Sequence, residues 1–106
     1  MSIKNSINYV NLTSIDSSTI DATFRPINPL GLDEGCFLIR ITNASDAAAN
    51  VSFDGVSDDH SLQPNAIIEV FCPGSCDEYT GVRKGSIIMV RGGAGTGMIY
   101  LSGYYI

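Results

Sequence analysis

Short apolar runs punctuated by turn residues set the pattern of this chain. Cys36–Thr42, Val51–Phe53, Ala66–Phe71, Ser86–Val90 and Met98–Ile106 alternate with segments of Gly, Asp, Asn, Ser and Pro. Successive side chains of a strand point to opposite faces, so each run can bury one face while the segment after it reverses the chain. In the first run Phe37, Ile39 and Ile41 share a face opposite Leu38, Arg40 and Thr42. The polar stretch Asn43–Asn50 then predicts a central hairpin to Val51 and Phe53, and Asp54-Gly55 predicts a turn. Ile68 and Val70 are expected inward with Glu69 outward, followed by Ile88 and Val90, then Ile99 and Leu101 with Tyr100 opposite. Gly92–Gly97 reads as the connection of a closing hairpin, with glycine supplying the positive φ of a strand reversal. No stretch has the helical period. The expected fold is all-β, a compact antiparallel β-sandwich of jelly-roll or Ig-like type.

The first 35 residues are less regular. Ile7–Leu12 and Thr19–Phe24 read as weak strands, the second with Ile20, Ala22 and Phe24 on one face. Arg25–Gly35 contains Pro26 and Pro29, which lack the donor a ladder needs, and is expected to be an ordered loop or an arm. The whole chain, 1–106, reads as one domain, with 1–35 as an N-terminal arm that supplies edge strands.

Composition narrows the partners. Hydrophobic residues make up 44% and charged residues 16%, an ordinary core content beneath a surface sparse in charge and suited to being covered by neighbours. The net charge is −5, and the six Lys and Arg are scattered, so no basic stripe exists for direct nucleic-acid binding. No run approaches a membrane span or a secretory signal. The sequons at Asn11, Asn43 and Asn50 are therefore read as turn residues and strand polar faces. Three cysteines, an odd number, argue against a complete disulfide framework.

Each chemical constellation has a simpler reading. Gly92–Gly97 lacks the spacing of a dinucleotide fingerprint and the Lys-Ser/Thr of a phosphate loop. Asp46, Asp54, Asp58, Asp59 and His60 form an acidic cluster with oxygen ligands suited to calcium, but without the EF-hand pattern they read as solvated loop carboxylates or subunit contacts. His60, Ser61 and Asp58 are the residue types of a hydrolase triad, yet neighbours on one loop rarely adopt that geometry. Cys72 and Cys76, with Cys36 or His60, are a weak zinc pattern; a loop disulfide and free thiols are the other readings. No catalytic, metal or cofactor residue is assigned. Tyr79, Tyr100, Tyr104 and Tyr105 are the candidate interaction residues, fitted to subunit contacts or to stacking on sugar rings.

Phe37–Asp46, continued through Val51–Val56 and Asp59-His60, resembles a recurrent pattern in small virion proteins of tailed bacteriophages. Lys84–Tyr105 is similar to the closing hairpin of such proteins. The resemblance covers residues 36–105, and its motifs are structural, not catalytic. It implies a non-enzymatic virion structural protein, made in the host cytoplasm and assembling in many copies as a neck, collar or tail ring component or a capsid decoration. Its partners would be other virion proteins and further copies of itself. The alternative is a carbohydrate-binding β-sandwich module. The inward alternation carries its own test: Ile39→Asp buries an unpaired carboxylate and should cost several kcal/mol out of a typical ~5–15 kcal/mol. Denaturant unfolding measures this loss, and circular dichroism dominated by helix would overturn the architecture.

Overall fold

The computed structural model describes residues 8–71 and 83–105. Its strands are β1 (Asn8–Tyr9), β2 (Thr13–Asp16), β3 (Arg25–Pro26), β4 (Leu38–Ser45), β5 (Ala49–Ser52), β6 (His60–Leu62), β7 (Ile67–Phe71), β8 (Met89–Gly92) and β9 (Gly97–Tyr105). One sheet has the order β1-β9-β4-β7 with β2 also on β9, and the second has the order β3-β8-β5-β6. β1 and β2 lie in succession along one side of β9, as a single interrupted strand.

Every other pairing then joins an early strand to a late one: β3 with β8, β4 with β7, β5 with β6. The chain is one long antiparallel hairpin with its tip between β5 and β6, rolled so that β4 also meets β9 and β5 meets β8. This is the jelly-roll form of the sandwich. The sheets bury Ile39, Ile41, Ile99 and Leu101 of the first against Val51, Leu62 and Val90 of the second, each at most 1% exposed. Ile88, just before β8, is buried with them, whereas Ile68 and Val70 on β7 are only half-buried against this core.

Several expected elements differ. The hairpin expected between Cys36–Thr42 and Val51–Phe53 does not form, because β4 and β5 belong to different sheets. Gly92–Gly97 likewise passes from β8 in one sheet to β9 in the other and is not a hairpin loop. Phe37 is half-buried, edge-on to Phe71 with centroids 6.5 Å apart. Phe53 is 37% exposed. There the alternation ends because the buried Ser52 hydroxyl accepts from the Gly55 N–H at 2.9 Å and turns the chain.

Thr19–Phe24 is not a strand. The Asp16 carboxylate accepts from the Ser18 N–H, and Asp21 accepts from the Thr23 N–H, both at 2.9 Å. These local bonds hold a 3-10 turn at Ser17–Thr19 and a bend after it in place of a ladder. Only Ile20 of the expected apolar face is buried; Ala22 is exposed and Phe24 half-buried. The expected strand Ile7–Leu12 pairs only over Asn8–Tyr9 among the described residues. Residues 8–35 supply edge strands and place Val10, Ile20, Ile27 and Leu32 in the common core. Within them, buried Asn28 donates to the Ser86 carbonyl at 2.9 Å and accepts from the Ile88 N–H at 2.8 Å, doing beside Pro29 what a backbone ladder would do.

Asn43, expected in a polar connection, is a wholly buried residue of β4. Its amide donates to the carbonyls of Ala47 at 2.9 Å and Leu62 at 3.1 Å and accepts from the Ser45 N–H at 2.9 Å. It thereby ties the first sheet to the second where the chain crosses between them. The crossing from β8 to β9 packs directly against this one, the Thr96 N–H donating to Asp46 Oδ1 at 2.8 Å. Gly97, at φ +115°, leaves no room for a side chain beside the Ala44 carbonyl, and a Cβ on Gly92 would lie 2.9 Å from the Ala48 carbonyl oxygen. Asn43→Ala leaves the buried Ser45 N–H and the Leu62 carbonyl short of partners and should cost about 2 kcal/mol or more. Urea unfolding measures it; a loss below about 0.5 kcal/mol, the ordinary effect of a surface change, would mean that the amide does not hold the crossing.

Candidate functional site

The two sheets present unlike outer faces. Residues paired across a sheet share a face, so the register shows what each outer surface carries. On the first sheet Tyr9, Tyr104, Leu38 and Phe71 form one continuous rung across four strands. Tyr9 is 75% and Phe71 62% exposed, while Leu38 and Tyr104 are half-buried between them. A second rung is Ser14, Tyr100, Thr42 and Ile67, with Ile67 56% exposed. Between them Arg40 pairs with Glu69 at 3.1 Å. The strands of this sheet carry only one further charge, Asp16, which caps the Ser17–Thr19 turn.

The second sheet and its loops hold most of the other described acids, each bonded locally. Arg91 on β8 binds Asp58 through two hydrogen bonds of 2.9 and 2.7 Å, and its guanidinium lies 4.3 Å from the centre of the Phe24 ring. Arg25 pairs with Asp21 at 2.7 Å. Asp59 accepts from the Phe53 N–H at 2.9 Å. Asp54 Oδ1 accepts from the N–H groups of Ser57 and Val56 and from the Ser52 hydroxyl, all at 2.8 Å. These bonds, the Ser57 and Val56 N–H groups foremost, bring the Asp54 carboxyl from its ordinary 3.8 to about 2.

The suspected chemical groups therefore have other partners. Among the described residues no three metal-ligating side chains come together. His60 stacks edge-on against Phe53, Ser61 accepts from Gln63, and Asp58 holds Arg91, so the three do not converge as a triad. Cys36 is buried, its thiol pushed up by burial and then by nearby Glu34, and it contacts the Glu34 carbonyl. Cys72, Cys76 and Tyr79 lie outside the described residues. Tyr100 and Tyr104 lie on the outer face of the first sheet, whereas Tyr105 packs against the core. Tyr9, absent from the sequence-based set, joins Tyr104; its strand is two residues long, too short to show alternation. Beside the β1–β2 edge of the first sheet, clefts of about 140 and 280 Å3 flank Leu30, the 97% exposed tip of a turn closed by the Gly31 N–H on the Asn28 carbonyl.

No family model matches the chain, and no curated protein matches it. Among solved structures, the crystal structure of PirA is similar over 98% of this chain and 97% of that one, with a TM-score of 0.39 and 13% identity.

The Asp54 bonds predict an acid dependence. A carboxyl whose folded pKa lies below its unfolded value stabilises the fold above the unfolded value and loses that contribution as pH falls through the folded one. The deficit of Asp54→Ala in denaturation midpoint should be constant at neutral pH and close between about 3.8 and about 2. A deficit unchanged across that window would show that the ionised carboxylate adds nothing to the tip loop.

Proposed function

We propose that this chain is a non-enzymatic structural protein of a bacteriophage virion. In this reading it assembles in many copies in a neck, collar or tail ring, or decorates the capsid surface. The observation that carries the proposal is the inequality of the two outer faces. Two of the three ion pairs and the acids of the hairpin tip gather on one side, while an aromatic and aliphatic rung spans the other in a chain where only 16% of residues are charged. An apolar patch that reaches across a sheet is costly to leave in water and marks a surface meant to be covered. The phage setting itself rests on the sequence resemblance. Jelly rolls serve both virion and lectin proteins, so the architecture favours neither of the two functions.

The carbohydrate-binding alternative has one observation in its favour: Tyr9 and Tyr104 sit side by side on an open face. Two experiments separate the readings. Mass spectrometry of purified particles should find the protein in many copies per virion, and light scattering should show self-association that weakens when Phe71→Ser or Tyr104→Ser interrupts the rung. A strictly monomeric protein missing from particles would overturn the proposal. Binding on a glycan array that Tyr104→Ala abolishes would establish the alternative.

A further inference from the structure

Among the described residues, β7 is the least protected of the outer strands of both sheets. β3 is two residues long and contains Pro26, β6 is three residues long, and the opposite edge of the first sheet is interrupted between β1 and β2. Short, broken or proline-bearing edges resist pairing with other chains. β7 runs unbroken for five residues, Ile67-Ile68-Glu69-Val70-Phe71, and pairs only with β4 among the described residues.

Backbone polarity alternates along an antiparallel strand. The Asn43 N–H donates to the Ala66 carbonyl, so the matching groups of Ile68 and Val70 also point toward β4, and those of Ile67, Glu69 and Phe71 point to the open edge. The side chains add a second pattern. Glu69 is the centre of an apolar palindrome, with Ile68 and Val70 inward and only half-buried, and Ile67 and Phe71 outward and exposed.

We propose that β7 pairs antiparallel with β7 of a second copy, about a twofold axis at Glu69, joining the two five-stranded sheets into one. That register uses all three outward-facing residues of each strand, pairing Glu69 with its counterpart and Ile67 with Phe71 of the other copy. A shift by two residues loses part of this bonding, and a shift by one turns the apolar set to the wrong face. The pairing covers the exposed flanks of Ile68 and Val70 and makes the outer aromatic face continuous across both copies. Two glutamates placed opposite each other repel, but each lies 3.1 Å from its own Arg40, which neutralises it in place. The proposal deepens the multi-copy reading above, naming one of its contacts and leaving the outer face for other neighbours.

Sedimentation equilibrium up to millimolar concentration, with amide hydrogen exchange, tests the pairing in the whole protein. Expected is a weak dimer in which the amides of Ile67, Glu69 and Phe71 gain protection with concentration. Proline is tolerated on an edge strand where its nitrogen faces solvent. Glu69→Pro should therefore keep the melting transition and weaken dimerisation at least about tenfold, a 1.4 kcal/mol change. Arg40→Gln should weaken it through the unmasked glutamates, and adding Glu69→Gln should restore it; this pair of variants decides the matter if Glu69→Pro does not fold. A protein monomeric at millimolar concentration, a dimer indifferent to these changes, or protection confined to other amides would overturn the inference. Detection in particles bears separately on the virion reading: a β7 dimer absent from virions defeats that reading alone, and a virion protein without β7 pairing defeats this inference alone.

Discussion

The structure depends on one constraint, the pairing of the first half of the chain with the second as a single long hairpin. Its tip is the loop Phe53–Asp59, where Asp54 collects two backbone N–H groups and the Ser52 hydroxyl. From there each early strand must meet its late counterpart, β5 with β6, β4 with β7, β3 with β8 and the β1–β2 edge with β9. A ribbon this long cannot bury one face while flat, so it rolls, and the roll brings β4 to β9 over eight paired residues. The core follows, because the rolled ribbon turns Ile39 and Ile41 on one sheet toward Val51 and Val90 on the other.

Rolling forces the chain to change sheets, and two of the changes lie at one place. Ser45 to Ala49 and Gly92 to Gly97 cross side by side, joined through Asp46 and Thr96. A backbone leaving a ladder exposes groups that water cannot reach in the interior. Asn43 supplies the missing partners from a side chain, and glycines admit the close approach of the second crossing. A buried asparagine and a glycine-rich run are thus two halves of one device.

This device also explains how much was legible in the sequence. Alternation in Ile39-Arg40-Ile41 and Ile99-Tyr100-Leu101 identifies strands and their inward faces, because inner and outer residues must differ in a sheet wet on one side. The same alternation is silent about which strand is the neighbour, so adjacent runs joined by a polar segment read as hairpins although they lie in different sheets. Asn43 reads as a turn residue because its burial depends on carbonyls of Ala47 and Leu62, the latter 19 positions away. Thr19–Phe24 alternates without forming a strand for the opposite reason: Asp16 and Asp21 satisfy nearby N–H groups locally, and alternation cannot outweigh that. The acidic cluster was legible as loop acids, but its role in closing the tip and anchoring Arg91 appears only once the chain has folded.

The outer face of the first sheet was the hardest part to read, since its members come from four strands scattered between Tyr9 and Tyr104. Ile67 and Tyr9 are exposed and lie outside the core: the inner face holds the sheets together, and polar residues at these outward positions would leave it intact. Charge placement sharpens the contrast. A chain of net charge −5 repels its own copies least where its local charges cancel, and Arg40 beside Glu69 makes that balance on this face. Meanwhile Asp54, Asp58 and Asp59 sit at the hairpin tip, on loops of the other sheet. Apolar residues gathered on the side where repulsion is weakest are what the proposed contact surface needs, so in that reading the asymmetry of the roll bears on neighbours more than on folding.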